Sequence, residues 1–68
     1  MRYPNIEAER ARAGLTQDQL ADKLGVVRKT LYNWMTTGVP EKEIQRMAEL
    51  FHVAPEYLAQ TEDPADDG

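Results

Sequence analysis

The chain contains no cysteine. A disulfide framework and a thiolate metal site are therefore both excluded. Histidine is almost as scarce: His52 stands alone, with no second His and no carboxylate cluster at ligand spacing, so no metal centre is expected. Apolar runs are only a few residues long, too short to cross a bilayer. The opening segment MRYPNIEAERARAG lacks the apolar core of a secretory signal, which makes a cytoplasmic protein the expectation. There is no Ser-His-Asp set, no Gly-rich phosphate loop and no pair of carboxylates placed for acid–base work, so neither an enzyme nor a cofactor is expected. Repeats, low-complexity tracts and strand-like alternation are also missing from the body of the chain.

What is present fits one small domain. Sixty-eight residues give a marginal core, so helix packing or dimerisation must help it. The formal charge of -4 argues against a nucleic-acid partner, but its location matters. Four of the twelve acids, Glu62, Asp63, Asp66 and Asp67, lie in residues 62–68, so residues 1–61 hold eight acids against eight Lys and Arg. Six of those eight bases come before residue 36: Arg2, Arg10, Arg12, Lys23, Arg28 and Lys29. A neutral body with a basic face can bind phosphate, though more weakly than a strongly basic domain.

The segment TQDQLADKLGVVRKTLYNW, from Thr16 to Trp34, predicts helix, tight turn, helix. Thr16 is an N-cap with Gln19 three residues on, the spacing of a capping box. Leu20, Ala21 and Leu24 share one helical face. Gly25 follows where a left-handed residue stops the helix. A second helix starts near Val27 and buries Val26, Leu31 and Trp34. Ala21 is small enough for the two helices to cross closely. The face left over, Val27, Arg28, Lys29, Tyr32 and Asn33, suits a DNA groove better than a core.

Around this unit the pattern predicts further helices. Residues 1–4 form a lead-in, since Pro4 disfavours helix at Tyr3. Asn5 caps a first helix to about Ala13, with Ile6, Arg10 and Ala13 on or beside its inward face and Gly14 at its end. Leu15 drops into the core. Thr36, Thr37, Gly38 and Val39 form a loop. Pro40 enters a fourth helix in which Ile44, Met47, Ala48 and Phe51 make a buried stripe. His52 lies near its end, where its charge suits the dipole, and Val53 packs in the connection. Pro55 opens a short fifth helix bearing Tyr57 and Leu58. From Thr61 the chain is acidic and contains Pro and Gly, so residues 61–68 are expected to be a disordered tail that opposes DNA binding electrostatically. The expectation is an all-α, compact five-helix bundle with the folded domain at residues 5–60. One core is expected to hold Leu20, Ala21, Leu24, Val26, Leu31, Trp34, Ile44, Met47, Ala48 and Phe51.

This layout resembles the Xre-type helix-turn-helix family, the DNA-binding domains of lambdoid phage repressors. The resemblance covers residues 5–60. It is carried by Gly14-Leu15-Thr16-Gln17, Leu20-Ala21, Leu24-Gly25-Val26, Arg28, Thr30-Leu31, Asn33-Trp34, Met47-Ala48, Phe51, Val53 and Tyr57-Leu58. It implies double-stranded DNA as the partner, with Thr16, Gln17, Val27, Arg28, Lys29, Tyr32, Asn33 and Thr36 at the interface. Gln17 would hold a phosphate at the start of helix two. Val27, Arg28, Lys29 and Asn33 would face the major groove: Arg28 toward guanine, Asn33 toward adenine, Val27 toward a thymine methyl. Tyr32 would donate to a phosphate. The resemblance also implies a weak homodimer through the C-terminal helix, where Tyr57 and Leu58 have little chain to cover them.

Three departures stand out. Met35 replaces a Glu that in the family pairs with the Arg matching Arg10, leaving Arg10 to turn to Glu7, to solvent or to a phosphate. The loop Thr-Thr-Gly-Val carries no base where the family often has one. Val27 replaces a usual Ser or Thr. Blander roles compete for several residues: a solvated helix start for Arg28 and Lys29, capping chemistry for Asn33, and side-chain packing for Tyr32. Trp34, by its spacing from Leu31, is a core residue. Two functions follow. One is a sequence-specific, repressor-like transcriptional regulator. The other is a protein-interaction module, antitoxin-like or anti-repressor, on a degenerate scaffold with a possible protein partner.

Overall fold

Helix boundaries in this chain sit where the backbone signals are. The computed structural model describes residues 2–62. Among these, five helices follow in order: α1 Pro4–Arg12, α2 Gln17–Leu24, α3 Arg28–Thr37, α4 Glu41–Phe51 and α5 Pro55–Leu58. The described chain is all-α. Its one extended feature is a single antiparallel bridge between Arg2 and Glu62, with both N–H···O distances at 2.9 Å.

Pro4 begins α1 at the position where a missing N–H costs nothing. Asn5 was expected to cap this helix and does not: the cap position is Tyr3, and Asn5 Nδ2 instead donates to the Tyr57 carbonyl at 2.8 Å and to Gln60 Oε1 at 3.2 Å. A cap must precede its helix, and Asn5 already lies within the first turn, free to tie α1 to α5. The capping box of α2 forms as its spacing implies. Thr16 Oγ1 accepts from the Gln19 N–H at 3.1 Å, and Gln19 Oε1 accepts from the Thr16 N–H at 2.8 Å. Gly25 ends α2 at φ 75, a backbone setting that only glycine adopts freely.

The loop expected at residues 36–39 begins later. Thr36 and Thr37 belong to α3, and both hydroxyls bond back to carbonyls of the preceding turn. Thr36 Oγ1 donates to the Tyr32 and Asn33 carbonyls at 3.2 and 3.1 Å, and Thr37 Oγ1 donates to the Asn33 carbonyl at 2.6 Å. His52 caps the end of α4 in the left-handed region, φ 59, a conformation that its β-carbon disfavours.

The core contains the expected Leu20, Ala21, Leu24, Leu31, Ile44, Met47 and Ala48, all buried. Val26, Trp34 and Phe51 only half-bury against it. They lie at its margin. Three residues absent from the expected set, Tyr3, Ile6 and Leu58, complete it. Tyr3 is therefore no lead-in residue. Its ring is buried, and its hydroxyl accepts the Val39 N–H at 2.8 Å, pinning the connection between α3 and α4. Ala13, expected on the inward face of α1, is exposed. Glu9 on that helix is buried instead, accepting from the Tyr57 hydroxyl at 3.2 Å with Arg12 3.4 Å away.

The expectation that Tyr57 and Leu58 lie uncovered fails for the same reason. Leu58 is 0% exposed, and Tyr57 is half-buried with its hydroxyl engaged by Glu9. The helices packed on α5 are α4 and α1. The tail expectation is also trimmed at its start, since Glu62 is tied to Arg2. The disorder expected of residues 63–68 lies outside the described residues.

Leu31 is the buried residue through which α3 reaches the core. Leu31→Ala is expected to lower unfolding free energy by about 2–5 kcal/mol, read from a urea midpoint. A loss well under ~1 kcal/mol would mean that α3 is held by something else.

Candidate nucleic-acid interface

The starts of α2 and α3 lie side by side, and their side chains define one surface. Gln17 is the first residue of α2, and Arg28 and Lys29 are the first two of α3. Together with Tyr32, one turn on, these three line a single open, shallow depression. The sequence placed all four at the same surface, and the structure brings them together. Thr16, Val27, Asn33 and Thr36 are exposed but do not line this depression. Val27 and Tyr32 are the two exposed large hydrophobic side chains among the described residues, at 67% and 61%.

The two helix starts differ in kind. Thr16 closes the start of α2 with its hydroxyl oxygen, which leaves the hydroxyl hydrogen to donate outward. The N–H groups of Gln17 and Asp18, which no intrahelical carbonyl can reach, point out of the same end. Val27 occupies the cap position of α3 with no side-chain hydrogen bond to offer. No acid lies in that first turn, and Arg28 and Lys29 put two cations at the positive end of the helix dipole. Each such placement is unfavourable by about 0.3–1 kcal/mol at an exposed site. An anion at this spot would reverse that sign.

Asp18 lies near one residue of this depression, a contact that sequence reasoning passed over. Its Oδ2 lies 3.8 Å from Arg28 Nη1, with both side chains well exposed. Nothing in residue spacing signals the contact, because it depends on how the turn at Gly25 folds α3 against α2. An exposed pair at this distance contributes about 0–1 kcal/mol, so Arg28 can leave it for a better partner. The Thr36 hydroxyl, also exposed, donates to the Tyr32 and Asn33 carbonyls of its own helix.

The basic face is thinner than the residue count implies. Of the three courses open to Arg10, the structure takes Glu7: the guanidinium meets its carboxylate at 2.8 Å and also donates to the Leu15 carbonyl at 2.7 Å. Met35 cannot hold Arg10 and instead packs against the core. Arg12 sits beside Glu9. Among the described residues, no group of three or more His, Cys, Asp or Glu could hold a metal ion. No helix there is long and apolar enough to cross a membrane.

A family model described as helix-turn-helix matches residues 6–58. The chain belongs to the Xre-type, lambda repressor-like helix-turn-helix family. That match spans α2 and α3 and most of the remaining helices. Xre-type domains are a DNA-binding, non-enzymatic family, which implies double-stranded DNA binding. No curated protein and no solved structure matches the chain.

The contrast between the two caps is directly measurable. Thr16→Ala is expected to destabilise the domain by about 0.5–2 kcal/mol, while Val27→Ser is expected to stabilise it by a similar amount. Thermal melts of the two variants check this. A destabilised Val27→Ser would show that Val27 supports packing rather than standing free.

Proposed function

We propose that this chain is a sequence-specific, repressor-like transcriptional regulator that reads double-stranded DNA with the first turn of α3 in the major groove. The observation that carries the reading is the convergence of Gln17, Arg28, Lys29 and Tyr32 on one depression beside a helix start that is electrostatically incomplete without an anion. Gln17 and the free N–H groups of α2 hold a phosphate, with the Thr16 hydroxyl able to assist. Arg28 leaves Asp18 and donates bidentately to guanine O6 and N7. Lys29 lies beside it toward the same groove. Asn33, on the exposed side of α3, pairs with adenine, and Tyr32 donates to the backbone. Thr36 lies exposed near the end of α3 and stays in the set, its hydroxyl turning from the Tyr32 and Asn33 carbonyls toward the DNA.

The folded unit in this reading runs from Arg2 to Glu62, and it works in the cytoplasm alongside its DNA. One recognition helix reads few base pairs, so two copies bind together with their recognition helices about one DNA turn apart, ~34 Å. Leu58 takes no part in that pairing, because it is buried within its own chain. Sedimentation of the chain on its duplex is expected to show two copies per site. Monomers alone, free and bound, would remove the dimer from the proposal.

A second reading, a protein-docking module on this scaffold, is favoured by one observation. Of the six bases before residue 36, Arg10 and Arg12 face acids on their own helix and Arg28 lies near Asp18. Selection from a random duplex pool separates the two. Under the DNA reading one sequence is enriched. Arg28→Ala then relaxes preference at one base pair by about 1–3 kcal/mol, while Gln17→Ala weakens all sites alike. If nothing is enriched, or Arg28→Ala leaves the preference intact, sequence reading fails and the docking module takes its place.

A further inference from the structure

The end of the domain built by α4 and α5 carries a groove that takes no part in the surface described above. It holds about 320 Å³, and Val39, Ile44, Pro55 and Ala59 give it an apolar lining. None of its residues lines the depression at the starts of α2 and α3. Two exposed acids open on it, Glu41 in the first turn of α4 and Glu56 in the first turn of α5, and no Lys or Arg lines it. The helix dipole favours each acid where it stands. Among the described residues, Glu7, Glu9, Asp18 and Glu43 each have a cation within ion-pair distance, whereas Glu41 and Glu56 have none.

Tyr3 adds an independent feature. Its side chain lines the groove, yet the residue is only 6% exposed. The hydroxyl stands at the groove wall, because Val39, whose N–H it accepts at 2.8 Å, is part of that wall. A phenol can accept and donate at once, and among the described residues the Tyr3 proton has no acceptor. A buried donor without a partner is costly, so an incoming acceptor would be held here.

We propose that this groove docks a segment of a partner protein that carries a Lys or Arg beside an apolar residue. The cation meets Glu41 and Glu56, the apolar side chain covers Ile44 and Pro55, and a backbone carbonyl of the segment accepts the Tyr3 proton. The volume suits one or two side chains and is small for an organic cofactor, since ligand cavities run from about 300 to 1,000 Å³. Residues 63–68 of this chain are the wrong occupant, because they hold three acids and no base. A second copy paired through the same face would set Glu41 and Glu56 against like charges. The proposal does not depend on whether α3 reads DNA, and a docked segment leaves the depression at α3 open.

The test pans the full chain against displayed random heptapeptides, and the winners are synthesised with both ends blocked. Enriched peptides are expected to carry Lys or Arg next to Leu, Ile, Val or Phe. In amide NMR spectra such a peptide is expected to shift Val39, Ile44, Glu56 and Ala59 saturably and to leave Arg28 and Lys29 unmoved. Combining Glu41→Gln with Glu56→Gln is expected to weaken binding about three- to tenfold, the worth of two exposed ion pairs. The same spectra show that this variant stays folded. The proposal is overturned if no peptide is enriched, if the winners lack a base, if the shifts map elsewhere, or if the double variant binds as tightly. Shifts of the same amides with protein concentration alone would give the groove to a second copy and overturn it too.

Discussion

The close contact between α2 and α3 is the constraint on which everything else in this domain depends. Ala21 is buried where the helices meet, and Gly25 turns the chain at φ 75 immediately after α2. The Val26 N–H then bonds to the Ala21 carbonyl at 3.0 Å, so the turn is locked to the helix it leaves. Leu20, Leu24 and Leu31 close the contact from the core side. A larger residue at position 21 would separate the helices, and a β-carbon at position 25 would strain the turn. Either change would move Arg28 relative to Gln17, and the shared surface exists only because those two are neighbours.

Upon that frame the chain treats its two helix starts in opposite ways. The start of α2 is closed by a reciprocal capping box, and this rigidity fixes where Gln17 stands. The start of α3 is left open, with an apolar cap and two cations at the positive end of the dipole. The first arrangement serves stability, and the second gives some of it up. The remaining helices supply the difference. Tyr3 holds the connection after α3 through the Val39 N–H, and Glu9 with Asn5 fastens α1 to α5. Part of a small core is thus spent holding a recognition turn that would be poorly stable alone.

Local rules carried much of this in the bare sequence. The Thr16–Gln19 box, the Gly25 stop and the Ile44, Met47, Ala48 stripe all depend on residues within a turn or two of each other, and the spacing reveals them. The candidate surface was legible for the same reason: once α3 has a buried side at Leu31, the opposite face is determined. Residues whose partners are distant in the chain were not legible. Buried Tyr3 meets the Val39 N–H, 36 residues away, and buried Glu9 meets the Tyr57 hydroxyl, 48 residues away. Asn5 and Leu58 were misjudged because the packing of α1 on α5 has no signature in either segment alone. Asp18 was missed because its contact with Arg28 crosses the turn, and Arg10 stayed open between Glu7, solvent and phosphate until the geometry chose Glu7.

The central claim is that the first turn of α3 reads bases and does more than attract phosphates. Salt titration of binding to the selected duplex and to random duplex tests this most directly. Phosphate contacts weaken as salt rises, with a slope of about -0.9 per neutralised phosphate, whereas base contacts carry little salt dependence. The account predicts two separate lines, with the selected duplex bound more tightly at every salt concentration and its advantage maintained or widened as salt increases. Lines that coincide throughout would contradict it, leaving a surface that senses charge alone.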